Sequence, residues 1–326
     1  MTRYVLRRLL GLFPVLLAAA TLVWVLLFLL PGDPARLLAG GQSLDPEVLA
    51  SIRAEWRLDD PAPLQFLHYL GRLARLDLGR SYVQNRPVSA VIGDHIVPTL
   101  VLAGTAVLLS AAGGLFLGSL AAWRRGRALD TAVLTLALFG ASTPAFWLGL
   151  LLILVFASRL RWLPVAGYGL EGMLLPFTTV RLPEWDHLVL PAVTLSLVSM
   201  GAVARITRAS LLETGDAAFL RTASAKGSAR LRVFLNHALR SALPPVLTVL
   251  GLNLGTLLGG AVATEFVFAW PGLGKALARA IALKDVPVVE GCVLMLTAVF
   301  VLVNLGVDLL YPILDPRIDL RTPARR

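Results

Sequence analysis

The chain alternates between long apolar runs and shorter polar segments. The first run, Leu9–Leu30, contains no charged residue, and as a helix it would be about 33 Å long, enough to cross a bilayer. Five further apolar runs follow, at about residues 98–123, 131–157, 188–204, 244–268 and 288–311. We therefore predict an all-α polytopic membrane protein with six transmembrane helices, the third of them kinked at Pro144.

The start of the chain resembles a secretion signal in two respects. Three arginines precede the first apolar run, and three alanines at positions 18–20 resemble a cleavage site. The run nevertheless continues for ten residues beyond those alanines, which favours a retained transmembrane helix.

Residues 31–97 interrupt the apolar pattern with a polar stretch that has helical character. Asp45 and Pro46 open one helical pattern, which ends near Trp56. A second, amphipathic pattern follows, with five leucines along one stripe at Leu64, Leu67, Leu70, Leu73 and Leu76. We predict a small helical subdomain outside the membrane, between the first two transmembrane helices.

The distribution of Lys and Arg predicts the orientation. With the N-terminus in the cytoplasm, the inside segments hold 17 of the 30 Lys and Arg residues and, with Asp308 near the inner end of the last run, only six of the 20 acidic residues. Positive charge near membrane spans is retained on the cytoplasmic side. Both termini are therefore predicted to be cytoplasmic, as is the polar segment at residues 205–243.

Composition narrows the function. The chain is 57% hydrophobic and 15% charged, which is well below the roughly 25% charged residues of soluble domains. Its net charge of +10 is explained by topology and needs no nucleic acid partner. Cys292 is the only cysteine and the four histidines are scattered, so no metal site is predicted.

No motif of an enzyme or of an ion-coupled carrier is present. The sequence lacks GxxxxGK[ST], GxSxG and HExxH, and its apolar runs contain almost no ionisable residue of the kind that proton relays use. Any uphill transport must therefore take its energy from a partner. Asn253, Thr256 and Glu265 are the candidate pathway or gate residues, although helix–helix hydrogen bonds or interfacial solvation would also explain them. Glycines at 251, 255, 259 and 260 favour close helix packing.

The segment at residues 205–243 is polar and basic, yet it has helical character. Between Gly215 and Gly227 the sequence DAAFLRTASAK is rich in helix formers. Phe219 and Ala223 fall on one face of that helix. A short helix with an aromatic side chain, small alanines and a basic rim is suited to docking into a groove of another protein.

At this segment the sequence resembles the permeases of binding-protein-dependent ABC importers. RTASAKG followed by HALRSALPP is similar to the cytoplasmic loop of the dipeptide/oligopeptide/nickel permease family. The general importer motif is EAA-x3-G-x9-I-x-LP, from which this chain departs, with Arg221 in place of the glutamate and Arg240 in place of the proline. Further resemblances run from LLPGDPA near residue 30 through LDDPAPLQFLHYLGRLARLDLGRSYVQNRPV and TEFVFAWPGLGKAL to the closing LVNLGVDLLYPILDPRID. The chain thus resembles the first-permease subunit type with a long first outer loop.

The resemblance implies a type I ABC importer permease fold in a bacterial or archaeal cytoplasmic membrane. It implies a second homologous permease subunit, two ABC ATPase subunits and an external solute-binding protein as partners. The chain itself would bind no cofactor, because ATP and Mg²⁺ would be held by the ATPase subunits. Contact with an ATPase would be made by Phe219, Arg221, Thr222, Ala223, Ala225, Lys226 and Gly227.

The resemblance favours short peptides as the cargo, with nickel chelates, glutathione or another small solute as alternatives. A secondary transporter working alone, and a membrane enzyme or receptor, are the alternatives outside this class. The expected organisation is a first helix (1–30), an external helical subdomain (31–97), a permease core with five transmembrane helices (98–311) and a cytoplasmic tail (312–326).

Overall fold

A computed structural model describes residues 2–29, 33–38, 45–169, 183–215 and 218–314 of the chain. In chain order its α-helices are α1 (Thr2–Phe28), α2 (Pro34–Leu38), α3 (Pro46–Trp56), α4 (Ala62–Ala74), α5 (Val88–Trp123), α6 (Ala128–Ser142), α7 (Ala145–Leu152), α8 (Trp185–Thr214), α9 (Ala218–Ala225), α10 (Arg230–Val233), α11 (Leu239–Val267), α12 (Leu273–Ala282) and α13 (Val286–Leu314). Two π-helical segments extend helices, Ile153–Arg159 after α7 and Phe234–Ala238 before α11. A two-stranded antiparallel hairpin, β1 (Arg80–Ser81) and β2 (Arg86–Pro87), precedes α5.

The long apolar runs form the predicted helices, but the count of six spans stays a prediction. Among the described residues four helices are long and apolar enough to cross a membrane, or five if a bent pair counts as one span. The apolar stretch of α1 is shorter, at Phe13–Leu26. The helix α5 begins ten residues before the predicted start at Pro98, so this proline lies inside the helix.

The third apolar run is bent much more sharply than a proline kink. Between α6 and α7 the chain turns by 111°, so the bend predicted at Pro144 is present and larger than expected, and the single span at 131–157 stays a prediction. Proline disfavours the helical conformation of the residue before it. Thr143, before Pro144, is accordingly extended, with φ −97° and ψ 131°, and the helix stops there.

The helix α8 lies at the centre of the bundle, where it packs against α5, α6 and α11. Small residues allow these close approaches. A Cβ on Gly114 or Gly118 of α5 would collide with Val203 or Thr207 of α8. Among the described residues the tight GxxxG contact is therefore at 114–118, whereas a Cβ on Gly259 would meet nothing within 4 Å.

The subdomain formed by α2, α3, α4 and the hairpin contains the two predicted helices, α3 and α4. The buried face of α4, however, differs from the predicted leucine stripe. Ile52 of α3 is buried with Ala35, Leu38 and Val286, the first residue of α13. On α4 the buried side chain is Tyr69, whereas Leu64, Leu67 and Leu76 of the predicted stripe are exposed. The subdomain thus packs on the start of α13 and leaves part of the leucine stripe uncovered.

Candidate coupling site

The helix α9 is anchored by Leu220 at the end of the bundle where α5 and α8 end and α11 begins. Leu220 is buried in a cluster with Leu211 of α8 and Ala242 of α11, and Ala223 and Ala122 pack against it. A displacement of α9 would therefore act on α5, α8 and α11 together. The sequence offered one signal for this anchor, because Leu220 and Ala223 stand three residues apart and so share a helix face.

The opposite face of α9 is open. The side chains of Thr222, Ala225 and Lys226 are exposed, as is Gly227 just beyond the helix. Ala223, which was predicted to face a partner, is only half-buried and lies against the Leu220 cluster. Phe219 and Arg221 lie within α9, but their side chains fall outside the described part of the structure.

A left-handed residue ends this helix. Gly227 has φ +80°, and the N–H groups of Lys226 and Ser228 donate to the carbonyls of Thr222 (3.1 Å) and Ala223 (3.4 Å). Glycine reaches this conformation without steric cost, and it is a common helix C-terminus. A Cβ on Gly227 would meet nothing within 4 Å, so it is the backbone angle, and not packing, that requires glycine.

The polar segment is shorter than predicted. The helix α8 continues ten residues beyond Ala204 to Thr214, and α11 begins at Leu239. We use the name coupling segment for residues 215–238, between these two helices. Ser241 donates a hydrogen bond of 3.3 Å to Thr214, which joins the helix ends on either side of the segment.

An ion pair fixes the same end of the bundle. The Nε and Nη2 atoms of Arg208 lie 2.6 and 2.8 Å from the two carboxylate oxygens of Asp130. Asp130, at the start of α6, also accepts a hydrogen bond from the N–H of Gly126 at 3.0 Å. Such bidentate pairs hold geometry well, so α6 and the α5–α6 turn are tied to α8 six residues before its last residue, Thr214.

Of the three candidate pathway residues, Asn253 has an unusual environment. It is half-buried on α11, and its Nδ2 atom has no hydrogen-bond partner among the described residues. The hydroxyl of Ser199 on α8 is buried and equally unpartnered there. Buried clusters on either side of this level pair α8 with α11, Val203 with Leu250 and Leu195 with Leu257. The side chain of Thr256 falls outside the described part of the structure.

Glu265, the third candidate, is fully buried and fully engaged. One carboxylate oxygen accepts from Thr99 Oγ1 at 2.6 Å and the other from the N–H of Lys275 at 3.0 Å. Thr99 Oγ1 in turn accepts from the N–H of Leu273 at 2.7 Å. Glu265 thus caps the first turn of α12 and joins it to α5 and α11. Its role as a gate stays a prediction, and sequence reasoning missed this capping role.

One group of metal-like spacing occurs in the described residues, although none was predicted. Ligand atoms of Glu184, Asp186 and His187 lie within 4.8 Å of one another. The Nδ1 atom of His187 is 3.1 Å from Asp186 and 3.6 Å from Glu184. Pairing of the imidazole with these two carboxylates accounts for the group without a metal.

Comparisons with known proteins cover nearly the whole chain. Residues 114–320 match the family described as binding-protein-dependent transport system inner membrane component, and residues 1–103 match the N-terminal region of such components. The chain is 42% identical over 318 residues to the glutathione transport system permease protein GsiC of Salmonella choleraesuis. This alignment covers 98% of this chain and 99% of the relative.

A putative peptide transport system permease protein of Brucella abortus is also 42% identical over the same shares of both chains. In structure, the chain is similar to a subunit of the inward-facing MetNI methionine ABC transporter, with a TM-score of 0.52 at 18% identity. That match covers 70% of this chain and 97% of the other. At this identity the likeness concerns the fold alone.

Proposed function

Because this chain belongs to the family of binding-protein-dependent transport system inner membrane components, the transport subunits of ABC importers, we propose that it carries short peptides across the membrane. The relatives named for glutathione and for peptide transport support this cargo class. Glutathione is itself a tripeptide, so one pathway could suit both. Nickel chelates or another small solute remain the alternative cargo.

The observation that carries the mechanism is the two-sided environment of α9. One face is anchored in the cluster shared by α5, α8 and α11, and the other presents Thr222, Ala225 and Lys226 to solvent. Small side chains allow a close approach, and Lys226 can pair with an acidic rim. We assign α9, with Gly227, as the contact with an ABC ATPase, and we include Phe219 and Arg221, which lie within α9.

The transport cycle follows from this contact. Two permease subunits would form the pathway, and two ATPase subunits would bind ATP and Mg²⁺ and draw together. Their movement would push each α9, and the Leu220 cluster and the Asp130–Arg208 pair would transmit the push to α5, α6, α8 and α11. Access would then switch from one side of the membrane to the other. An external binding protein would deliver the cargo.

We place the pathway along α11, at the level of Asn253 and Thr256. The unpartnered Nδ2 atom of Asn253 and the buried, unpartnered hydroxyl of Ser199 on α8 support this, because buried polar groups without partners are rare in structural interfaces. We also propose that both termini and the coupling segment are cytoplasmic. The excess of Lys and Arg on that side supports this orientation.

The test is reconstitution of this chain with its permease partner, ATPase subunits and binding protein in proteoliposomes. Ala225→Glu, on the open face of α9, should reduce ATPase co-purification and ATP-driven peptide uptake by about tenfold or more, since a buried unpaired charge at an interface costs several kcal/mol. The matched control is Ala50→Glu on the exposed face of α3, which should leave both unchanged.

Wild-type uptake by the Ala225→Glu variant would contradict the assignment of α9. Uptake that persists without any ATPase subunit would contradict the energy source. If the external binding protein binds no peptide in a ligand screen, the assignment of short peptides as cargo would be contradicted and the alternative solutes favoured.

A further inference from the structure

A cavity of about 490 Å³ lies between α1, α3, α4 and the first turns of α13. Its walls carry the aromatic side chains of Trp24, Phe28, Trp56 and Tyr69, and Glu290 of α13 also lines it. This volume lies in the range of small-molecule sites. The transport cycle above uses none of these residues.

Two buried polar groups in this cavity lack partners of their own. Glu290 is 6% exposed, and among the described residues it makes no ion pair, although the charge of Arg72 acts on it through space. The hydroxyl of Tyr69, which is 7% exposed, has no hydrogen-bond partner there. Burial raises the pKa of Tyr69, so the hydroxyl stays neutral. A buried carboxylate is costly unless it is paired, so this end of the cavity favours a cation that donates hydrogen bonds.

The nearby Arg72 contacts other groups of the subdomain, although its buried Nε atom has no hydrogen-bond partner among the described residues. Its guanidinium stacks on the Trp56 ring at 3.8 Å from the centroid, and its Nε atom lies 3.4 Å from Asp77. Both contacts orient the guanidinium toward groups of the subdomain. Arg72 acts on the Glu290 carboxylate only through space, so a cation that donates a hydrogen bond to this carboxylate comes from a ligand.

The cavity also has a cationic rim. Arg57 and Arg75 line it and are exposed. The Nη1 atom of Arg57 lies 2.9 Å from His68 Nε2, which also belongs to the lining. Guanidinium groups bind phosphate in a bidentate manner. A ligand that fits both regions therefore carries an ammonium and, next to it, an anionic phosphate.

The position of the cavity indicates where such a ligand comes from. Phe28 at the end of α1 and Leu67 of α4 line it and are 56% and 61% exposed. Along α1, Leu22 and Leu26 are exposed as well, on a helix that packs against α13 and is predicted to cross the membrane. Trp24 stacks on Phe28 at 5.1 Å, and such aromatic side chains collect at the membrane–water interface. The cavity thus opens where the lipid-facing surface of α1 ends.

We infer that this cavity binds the head group of a phospholipid with a primary ammonium, of the phosphatidylethanolamine type. The ammonium lies between Glu290 and Tyr69, the phosphate lies at Arg57 and Arg75, and the acyl chains follow α1. The bound lipid joins the subdomain to α1 and α13. A trimethylammonium head could contact the aromatic walls, but it cannot donate a hydrogen bond to Glu290 or Tyr69.

The test uses the full-length chain, purified with the subunits that accompany it, in phosphatidylcholine nanodiscs. Adding phosphatidylethanolamine should raise the melting temperature, and native mass spectrometry should detect the retained lipid; phosphatidylglycerol should do neither. Glu290→Gln should lower this retention about tenfold or more, because it removes a charge-assisted hydrogen bond. Glu47→Gln, an exposed position on α3 outside the cavity, is the control and should retain the lipid.

Tyr69→Phe is a second variant that keeps the buried ring. It removes only the hydroxyl and should weaken retention by a smaller factor, so the test does not depend on the folding of Glu290→Gln alone. Equal retention of phosphatidylcholine, or unchanged retention in both variants, would overturn the inference. Displacement of the lipid by a free dipeptide at millimolar concentration would overturn the assignment to lipid and show a peptide site.

Discussion

Polar groups are exposed beside the beginning of α11 and buried at its end. At its beginning the coupling segment leaves one face of α9 in solvent, with Thr222, Ala225 and Lys226 exposed. At its other end, Glu265 and Thr99 are buried and bonded to each other and to the first turn of α12. The indole of Trp270 adds a hydrogen bond of 3.0 Å to the carbonyl of Pro98.

The difference separates structural polar residues from those available to a partner. Glu265 and Thr99 have their hydrogen bonds inside the chain, so their removal should first affect folding. The exposed face of α9 contributes little to the fold, so changes there should first affect assembly and transport. The helix α11 therefore connects an end whose polar groups are bonded within the chain with an end beside an exposed helix face.

The largest effect is expected for Glu265→Leu. This change leaves the buried N–H of Lys275 and the Thr99 hydroxyl without their acceptor, which should cost about 3 kcal/mol or more. The melting temperature of the purified chain in detergent should fall clearly, whereas Glu47→Leu on the surface should leave it unchanged. Glu265→Gln keeps an acceptor oxygen, so its melting temperature should lie between those of Glu265→Leu and Glu47→Leu.

The same variants distinguish the structural role of Glu265 from a role as a gate. Equal stability of Glu265→Leu and the surface control would contradict the capping role. Full stability of Glu265→Gln together with altered uptake would favour the gate.

An intermediate effect is expected from the Asp130–Arg208 pair, which braces the coupling end. Arg208→Asp places two carboxylates together, and uptake should fall by about tenfold, since like charges in contact are destabilising. The double variant Asp130→Arg with Arg208→Asp restores opposite charges and should recover much of the uptake. The comparison is made in proteoliposomes at equal protein content. No recovery in the double variant would show that the pair does not act as a unit.

The smallest effect is expected at Gly227, where only the left-handed backbone conformation requires glycine. Gly227→Val places a β-branched residue at φ +80°, at a cost of about 1–2 kcal/mol, and should reduce ATP-driven uptake several-fold while the subunits still assemble. Gly227→Asn, which tolerates this conformation, should retain uptake. The two variants differ little in exposure, so equal uptake by both would contradict a requirement for this turn. Ala223→Glu is a poorer test. Ala223 packs on the Leu220 cluster, so a glutamate there would also disturb the fold.

Local patterns predicted the helices well, and the partners of side chains poorly. The apolar runs and the pattern after Asp45 predicted α5, α8, α13 and α3, because helix formation depends on residues close in sequence. Leu220 was not identified as an anchor, because its burial depends on α5, α8 and α11 together. The leucine stripe of α4 was read correctly as amphipathic, but Tyr69 and not the full stripe is buried.

The sequence by itself determined the membrane class, the helical order, the short helix between Gly215 and Gly227, and the family resemblance. All of these rest on composition and on spacings within one turn or one span. Only the tertiary structure decided the 111° turn at Pro144, the fully bonded state of Glu265 and the cavity around Glu290. Proline explains locally why the helix stops at Thr143, but not the size of the turn. The bonding of Glu265 and the cavity depend on side chains distant in sequence, such as Thr99 and Glu265, whose pairing exists only once the helices have packed.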